Sequence, residues 1–170
     1  MLSPSGAHTA MLMANAGQRV VVILDREGKA VKRLLAGDTK VRSIDWVGDE
    51  AILLVRSETV APKLGLGSVR NEWLRANVIP LDDRCQVISV FADQRYVANA
   101  ILGFYGIRQV GDSWKGYFGG FRKGDLSGVK DRILDGHPSL FEVDLRSGAV
   151  ELVGYPPTPG LFSSRQQDRD

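Results

Sequence analysis

Cysteine is nearly absent from the sequence, because Cys85 is the single one among 170 residues. An internal disulfide and a cysteine-based metal cluster are therefore impossible. No apolar run approaches the roughly 18 residues that a membrane span needs. Neither charge dominates, because 22 Lys and Arg residues against 20 Asp and Glu residues leave a net charge of +2. With no dense basic patch, the sequence indicates no nucleic-acid partner.

The first residues also lack the marks of an export signal. Met1 to Gly6 has neither a basic start nor an apolar core, so no signal peptide is predicted. Either the chain is cytosolic or its true beginning is missing. Hydrophobic residues make up 44% and charged residues 25% of the chain, proportions typical of a globular domain.

Short apolar runs between 19 glycines and 7 prolines indicate strands, whereas helical periodicity is weak throughout. Three segments share the order strand, acidic turn, strand. Aspartate suits such turns because it caps its own backbone, and glycine accepts a positive φ. The three predicted hairpins are 20–34 with its turn at Asp25–Gly28, 76–90 with its turn at Pro80–Arg84, and 140–153 with its turn at Asp144–Gly148.

A further strand pair precedes each hairpin, at 3–14, 41–56 and 105–121. Repeated units of four antiparallel strands are typical of a β-propeller. A β-sandwich is the alternative, but there the strands recur without the whole unit recurring. The sequence therefore predicts an all-β fold, an incomplete β-propeller of about two and a half to three four-stranded blades.

The predicted blade units are 1–36, 37–92 and 93–155, within a partial propeller at 1–160 that a polar tail at 161–170 follows. The first unit lacks its innermost strand. Because a closed propeller has about four to eight blades, the chain is interpreted as part of a larger one. Long loops are predicted at 59–71 and at 124–138, and an extended linker at Tyr155–Gly160 because of its prolines.

Three segments carry a resemblance to a known family. Leu2 to Gly6, before a short apolar strand, resembles the Ser-Pro-Asp-Gly blade turn of prolyl oligopeptidase family propellers. Val41 to Trp46 and Gly116 to Gly120 resemble segments from a bacterial branch of that family. The resemblance extends from about Leu2 to Gly160 and depends on the order of these motifs.

The resemblance implies an N-terminal propeller segment of a serine peptidase. In that family a propeller caps an α/β-hydrolase domain, which carries the Ser-Asp-His triad, and the propeller gates and orients peptide substrates. Implied partners are that missing hydrolase domain, or a complementary propeller chain, and a peptide substrate. The resemblance is compatible with a periplasmic or secreted location, as in many relatives. Without an export signal the location is cytoplasmic, so the sequence leaves the compartment open. No cofactor is implied.

No triad residue transfers to this chain, because no Gly-x-Ser-x-Gly nucleophile elbow is present. The nearest segment, Gly65 to Val69, has its serine directly after a glycine. No catalytic, cofactor-binding or metal-binding residue is therefore assigned, and enzymatic activity stays open. Two alternatives remain: a non-catalytic binding module that completes its fold by oligomerisation or with a partner chain, and a truncated reading frame without independent function.

Several residues are candidates for a site, and a structural role is favoured for all of them except the three arginines, for which it stays open. His8 lies at a turn, and His137 is placed in a loop before Pro138. Loop aspartates do not match the spacing of a calcium loop, and a series of glycines indicates bends and close packing. Trp46 is predicted to lie in the core. The remaining candidates are Asp125, Asp131 and Asp135; Gly103, Gly106, Gly111, Gly116, Gly119 and Gly120; Trp73 and Trp114 for stacking; and Arg56, Arg75 and Arg108 for carboxylate binding.

Overall fold

The computed structural model describes residues 1–15, 17–37, 39–60, 71–122 and 137–154. All regular elements in these ranges are strands, which confirms the predicted all-β fold. The predicted linker, the polar tail and the segment Gly65 to Val69 lie outside them. The strands are β1 (Thr9–Asn15), β2 (Gln18–Leu24), β3 (Ala30–Gly37), β4 (Lys40–Val47), β5 (Ala51–Val60), β6 (Asn71–Pro80), β7 (Ile88–Ser89), β8 (Val97–Val110), β9 (Ser113–Arg122), β10 (His137–Asp144) and β11 (Val150–Gly154).

The three predicted hairpins are present as β2–β3, β6–β7 and β10–β11. Their turns form as the turn chemistry predicts. Asp25 Oδ1 accepts hydrogen bonds from the backbone N–H groups of Glu27 at 3.1 Å and Lys29 at 2.8 Å. Gly28 follows with a φ of +79°. Asp144 caps the last of these turns in the same way.

The strands form two sheets, one with the order β1-β2-β3 and one with the order β11-β10-β9-β8-β6-β5-β4, in which β7 also pairs with β6. One residue pair, Leu74 with Ile101, joins β6 to β8. The larger sheet therefore consists of two antiparallel meanders, β4–β7 and β8–β11. Strand β8 begins at Val97 rather than at the predicted Tyr105, because Val97 and Ala98 belong to the buried core.

The predicted loops at 59–71 and 124–138 overlap strands at their ends, and their inner residues, 61–70 and 124–136, lie outside the described residues. Strand β5 continues to Val60, and β6 begins at Asn71. Strand β10 begins at His137, which pairs with Arg122, so the placement of His137 in a loop was wrong. A proline at the second position of a strand is tolerated because the missing N–H affects only the beginning of the ladder.

The middle meander is buried on both faces. Ile52 and Leu53 are consecutive, and each is 0% exposed. Ile52 belongs to an apolar cluster with Val21 and Ile23 of the three-stranded sheet. Leu53 belongs to a second cluster with Phe118 of β9. Successive side chains of a strand point to opposite faces, so β5 is covered on both faces. The strands thus stack in three layers, β1–β3, β4–β6 and β8–β11, with β4–β6 in the middle.

Aromatic side chains packed against β9 account for two of the candidate glycines. A Cβ added at Gly116 would lie 2.6 Å from Cε2 of Phe118. One added at Gly120 would lie 2.8 Å from Cε2 of Phe91. Aromatic rings therefore occupy the space above these glycines, as the prediction of close packing requires.

Candidate binding site

Four side chains converge on one face of the hairpin formed by β5 and β6. Arg56 lies directly across from Arg75, and Glu58 lies directly across from Trp73. Positions two residues apart on a strand share a face, so all four side chains lie together. We call this set the arginine-pair site. From the sequence, Arg56, Arg75 and Trp73 are separate candidates, and the strand register brings them together.

The fourth member, Glu58, was missed by the sequence analysis. It stands two residues after Arg56, as Trp73 stands two residues before Arg75. That alternation was the available signal, but it acquires meaning only when the register between the two strands is known. Ten residues, 61–70, separate the two strands along the sequence. Turn type fixes the register only for short hairpin connections, so sequence spacing alone could not supply it.

Both arginines lie within ion-pair distance of the same carboxylate, but neither Nε atom forms a hydrogen bond with it. Arg75 Nε lies 3.5 Å from Glu58 Oε2, and Arg56 Nε lies 3.9 Å from Glu58 Oε1. Both Nε atoms are buried and have no hydrogen-bond partner among the described residues. The side chains themselves are accessible, at 31% exposed for Arg56 and 38% for Arg75.

The site therefore carries an excess of positive charge. Like charges directly opposite in a sheet destabilise it, and one carboxylate offsets only one of two guanidinium groups. Each guanidinium also carries five donors, and burying a donor without an acceptor costs free energy. Local rules of this kind are most often broken at functional positions.

The position of the site in the fold adds an apolar border. Val41 of β4 is the cross-strand neighbour of Arg56 and packs in the apolar cluster between the first two layers. Trp73 is half-buried on the other side. The site thus lies at the edge of the interface between β1–β3 and β4–β6.

A second charged cluster lies on the opposite face of the same strands and differs in kind. Ser57 Oγ donates a hydrogen bond of 2.8 Å to Glu72 Oε1, and Arg42 donates to the same carboxylate. Lys40 completes the set at 3.5 Å. Hydrogen bonds from Ser57 and then Arg42 hold the pKa of Glu72 below its usual value. This network supplies its own acceptor and is explained by structure.

Arg108 lies apart from the arginine-pair site. It lies over the ring of Tyr117, 5.8 Å from the ring centre. Tyr117 donates a hydrogen bond of 2.7 Å to Glu142, which together with burial raises the pKa of the phenol. Lys115 pairs with Asp144 at 2.8 Å on the same face of the last meander. Arg108 therefore belongs to the polar outer face of β8–β11.

The residue types of a serine-hydrolase triad gather near the chain start, but in the wrong order. Ser5 Oγ donates directly to Asp49 Oδ1 at 2.8 Å. His8 stacks on Trp46, 6.1 Å between ring centres, and its buried Nδ1 has no hydrogen-bond partner among the described residues. In a triad the histidine stands between serine and carboxylate. Hydrogen bonds from Ser3 and Ser5 lower the pKa of Asp49 and explain this cluster as a turn.

The remaining candidates add no chemistry. Trp46 is 8% exposed and lies in the core, as predicted, and Trp114 packs against the larger apolar cluster. Asp125, Asp131 and Asp135, and the side chain of His137, lie outside the described residues. Among the described ranges, no group of three His, Cys, Asp or Glu residues could hold a metal ion. No helix found in those ranges is long and apolar enough to cross a membrane.

Comparisons with known proteins give two distant likenesses. No protein-family model and no curated protein matches the chain. The chain is similar to a hydrazine synthase of Kuenenia stuttgartiensis, with 13% identity and a TM-score of 0.44, over 90% of this chain and 57% of that one. It is also similar to a puromycin-hydrolyzing peptidase of Mycobacterium tuberculosis, with 12% identity and a TM-score of 0.38, over 95% of this chain and 29% of that one. At TM-scores this low, neither likeness assigns a function.

Proposed function

We propose that the chain is a β-propeller segment that gates and orients peptide substrates for a serine peptidase of the prolyl oligopeptidase type. In this proposal a separate α/β-hydrolase domain supplies the catalytic residues, and this chain is not catalytic. The observation that carries the proposal is the stack of three antiparallel layers, in which Ile52 and Leu53 are buried on opposite faces of the middle one. Propeller blades are repeated antiparallel sheets of this kind.

The chemistry of the described residues fits binding better than catalysis. Ser5 is bonded to Asp49 rather than to a histidine, and the lowered pKa of that carboxyl makes it a much weaker base than the imidazole that activates a catalytic serine. Arg56, Arg75 and Trp73 instead present hydrogen-bond donors and an aromatic surface, which are the groups that a peptide-orienting surface needs.

The proposal is tested by incubating the chain with a fluorophosphonate probe and, separately, with proline-containing peptides. We expect no covalent labelling and no peptide hydrolysis, but reversible peptide binding that changes tryptophan fluorescence. Wild type and Trp73→Phe are compared, because Trp73 borders the arginine-pair site and the other two tryptophans do not. Covalent labelling, hydrolysis, or an absence of binding across the peptide series would each contradict the proposal.

A second candidate function, a binding module that pairs with a second copy of this chain, is favoured by the outer face of β1–β3. Met13 pairs with Val20, which in turn pairs with Leu35, so the three share this face. Met13 is 50% exposed and Leu35 74% exposed. Met11 and Val31, at 44% and 47% exposed, add to the exposed apolar surface of these strands.

The outer face at the other end of the stack decides how two copies would meet. That face, on β8–β11, carries Lys115, Tyr117 and Asp144. The outer face of β1–β3, which is mostly apolar but also carries Arg33 across from Val22, matches itself better than it matches this charged face. In a second copy its complement is therefore the same face. Such self-complementary contact gives a two-fold dimer.

Sedimentation at increasing protein concentration tests this second candidate. We expect a dimer that Leu35→Lys converts to a monomer, because the new charge would be buried without a partner. Val87→Lys is the matched control, because Val87 is 55% exposed and precedes β7, away from β1–β3. A wild-type chain that stays monomeric at every concentration would exclude the dimer.

A further inference from the structure

We infer that Arg56 and Arg75 bind a carboxylate group of the ligand, which displaces Glu58 from between them. The choice of a peptide as the ligand rests on the proposed function. The recognition of a carboxylate does not, because it follows from the charges and donors of the site itself.

The register gives the two arginines a common target. Directly opposed residues of an antiparallel pair have Cβ atoms about 4.5–5.5 Å apart, and Arg56 and Arg75 form such a pair. Two planar guanidinium groups this close can both reach one anion. A carboxylate is the natural acceptor, because its two oxygens match the paired donors of a guanidinium.

The site is occupied by its own carboxylate, but loosely. The Nε distances to Glu58 of 3.5 and 3.9 Å exceed those of good hydrogen bonds, and both Nε atoms are left without a partner in the described part of the chain. Glu58 therefore compensates charge without satisfying the donors. A ligand carboxylate between the two arginines would both balance the remaining positive charge and accept hydrogen bonds from the two Nε donors.

Two other arginines of the described ranges provide a contrast. Arg84 donates to both carboxylate oxygens of Asp82. Its Nε lies 3.0 Å from Oδ1 and 3.1 Å from Oδ2, and its Nη2 lies 2.7 Å from Oδ2. Arg42 is bonded to Ser57 and Glu72. These two guanidinium groups therefore have acceptors at hydrogen-bond distance, which the buried Nε atoms of Arg56 and Arg75 do not have.

The border of the site indicates what the carboxylate is attached to. Trp73 and Val41 are half-buried neighbours of Glu58 and Arg56 on the paired strands. They offer apolar surface within one side-chain length of the charges. This combination fits a peptide whose carboxylate follows an apolar residue, and it fits a freely hydrated inorganic anion less well.

The experiment compares two peptides that differ only at the C-terminus, one with a free carboxylate and one amidated, in the full chain. Wild type is expected to bind the free acid about tenfold more tightly, the ratio that one charge-assisted hydrogen bond supplies. Arg56→Gln and Arg75→Gln should each remove that preference. Glu58→Gln should raise the affinity for the free acid several-fold, a gain that misfolding cannot produce.

Arg84→Gln is the control and is expected to leave both affinities unchanged, because Arg84 is exposed and its side chain bonds to Asp82, away from the arginine-pair site. A second arm titrates succinate, which carries carboxylates but no peptide bond. Its binding should also be lost in Arg56→Gln and gained in Glu58→Gln. An amidated peptide with an acidic side chain distinguishes a side-chain carboxylate from a terminal one as the bound group.

The outcomes separate the two proposals. Equal binding of free acid and amide by the wild type, or a preference that survives both arginine substitutions, overturns the carboxylate site and leaves the proposed function standing. Failure of all peptides to bind overturns the proposed function. In that case arginine-dependent binding of succinate still supports the carboxylate site, and its absence overturns that too.

Discussion

Two adjacent residues of β5 test the stacking of the layers. Ile52 and Leu53 are each 0% exposed, but they belong to different apolar clusters, one shared with β1–β3 and one shared with β8–β10. In a strand with one solvated face, only one of two successive residues would be buried. We therefore predict that Ile52→Ala and Leu53→Ala are both strongly destabilising.

The magnitude follows from the complete burial of both side chains. Truncating a fully buried Ile or Leu to Ala costs about 2–5 kcal/mol in the free energy of unfolding, since transfer and cavity contributions add. For a chain of this size, 1 kcal/mol corresponds to about 2–4 °C in Tm. Each substitution should thus lower Tm by at least about 4 °C, measured by calorimetry and by urea denaturation.

Leu35→Ala serves as the matched control, because Leu35 is 74% exposed on the outer face of the first layer. For the monomer, its effect should stay within about 0.5 kcal/mol. A cost below about 1 kcal/mol for either Ile52→Ala or Leu53→Ala would show that one face of the middle layer is solvated. The three-layer arrangement, and with it the basis of the propeller proposal, would then be refuted.

The other predictions concern a glycine and a partly buried ion pair. Gly120→Ala should destabilise the fold by about 1–3 kcal/mol, because its Cβ would lie 2.8 Å from a ring atom of Phe91; Gly154→Ala, which meets nothing within 4 Å, should be neutral in the same thermal melts. Burial raises the pKa of Asp144, but hydrogen bonds from Lys115 and the following turn outweigh this and hold the pKa well below its ordinary 3.8. The stabilisation by Asp144 is thus fully present above pH 3.8 and is lost as the pH falls through the lower folded-state pKa, so the difference in urea midpoint between wild type and Asp144→Asn should shrink on acidification below pH 3.8. A difference that stays constant to the lowest pH would contradict this.

The local parts of the fold were predictable because turn chemistry is local. Asp25 and Asp144 begin turns in which their carboxylates accept backbone hydrogen bonds from residues two to four positions ahead. Such bonds need no information from elsewhere in the chain. The strands beside these turns then follow from short apolar runs.

The site was only partly predictable because it depends on strand register. Arg56 and Arg75 were each recognisable as carboxylate-binding candidates, but their meeting depends on the register between β5 and β6, which the sequence does not fix. A shift of one residue would turn Arg75 to the opposite face. At His137 a local signal was misleading instead. The proline beside it indicates a loop, but strand pairing with Arg122 places the residue in β10.

Apolar patterning along each strand also indicates which layers are interior. Strand β5 begins with the unbroken run Ala51 to Val55 and is buried on both faces, whereas β10 alternates apolar and acidic residues from Phe141 to Asp144 and has a polar outer face. Strand β2 carries the unbroken apolar run Val20 to Leu24, the pattern of a strand that is covered on both faces. Its outer face nevertheless borders the exposed side chain of Leu35. The pattern thus predicts that a further sheet covers this face, and the two proposed functions differ in whether that sheet is another blade or a second copy of the chain.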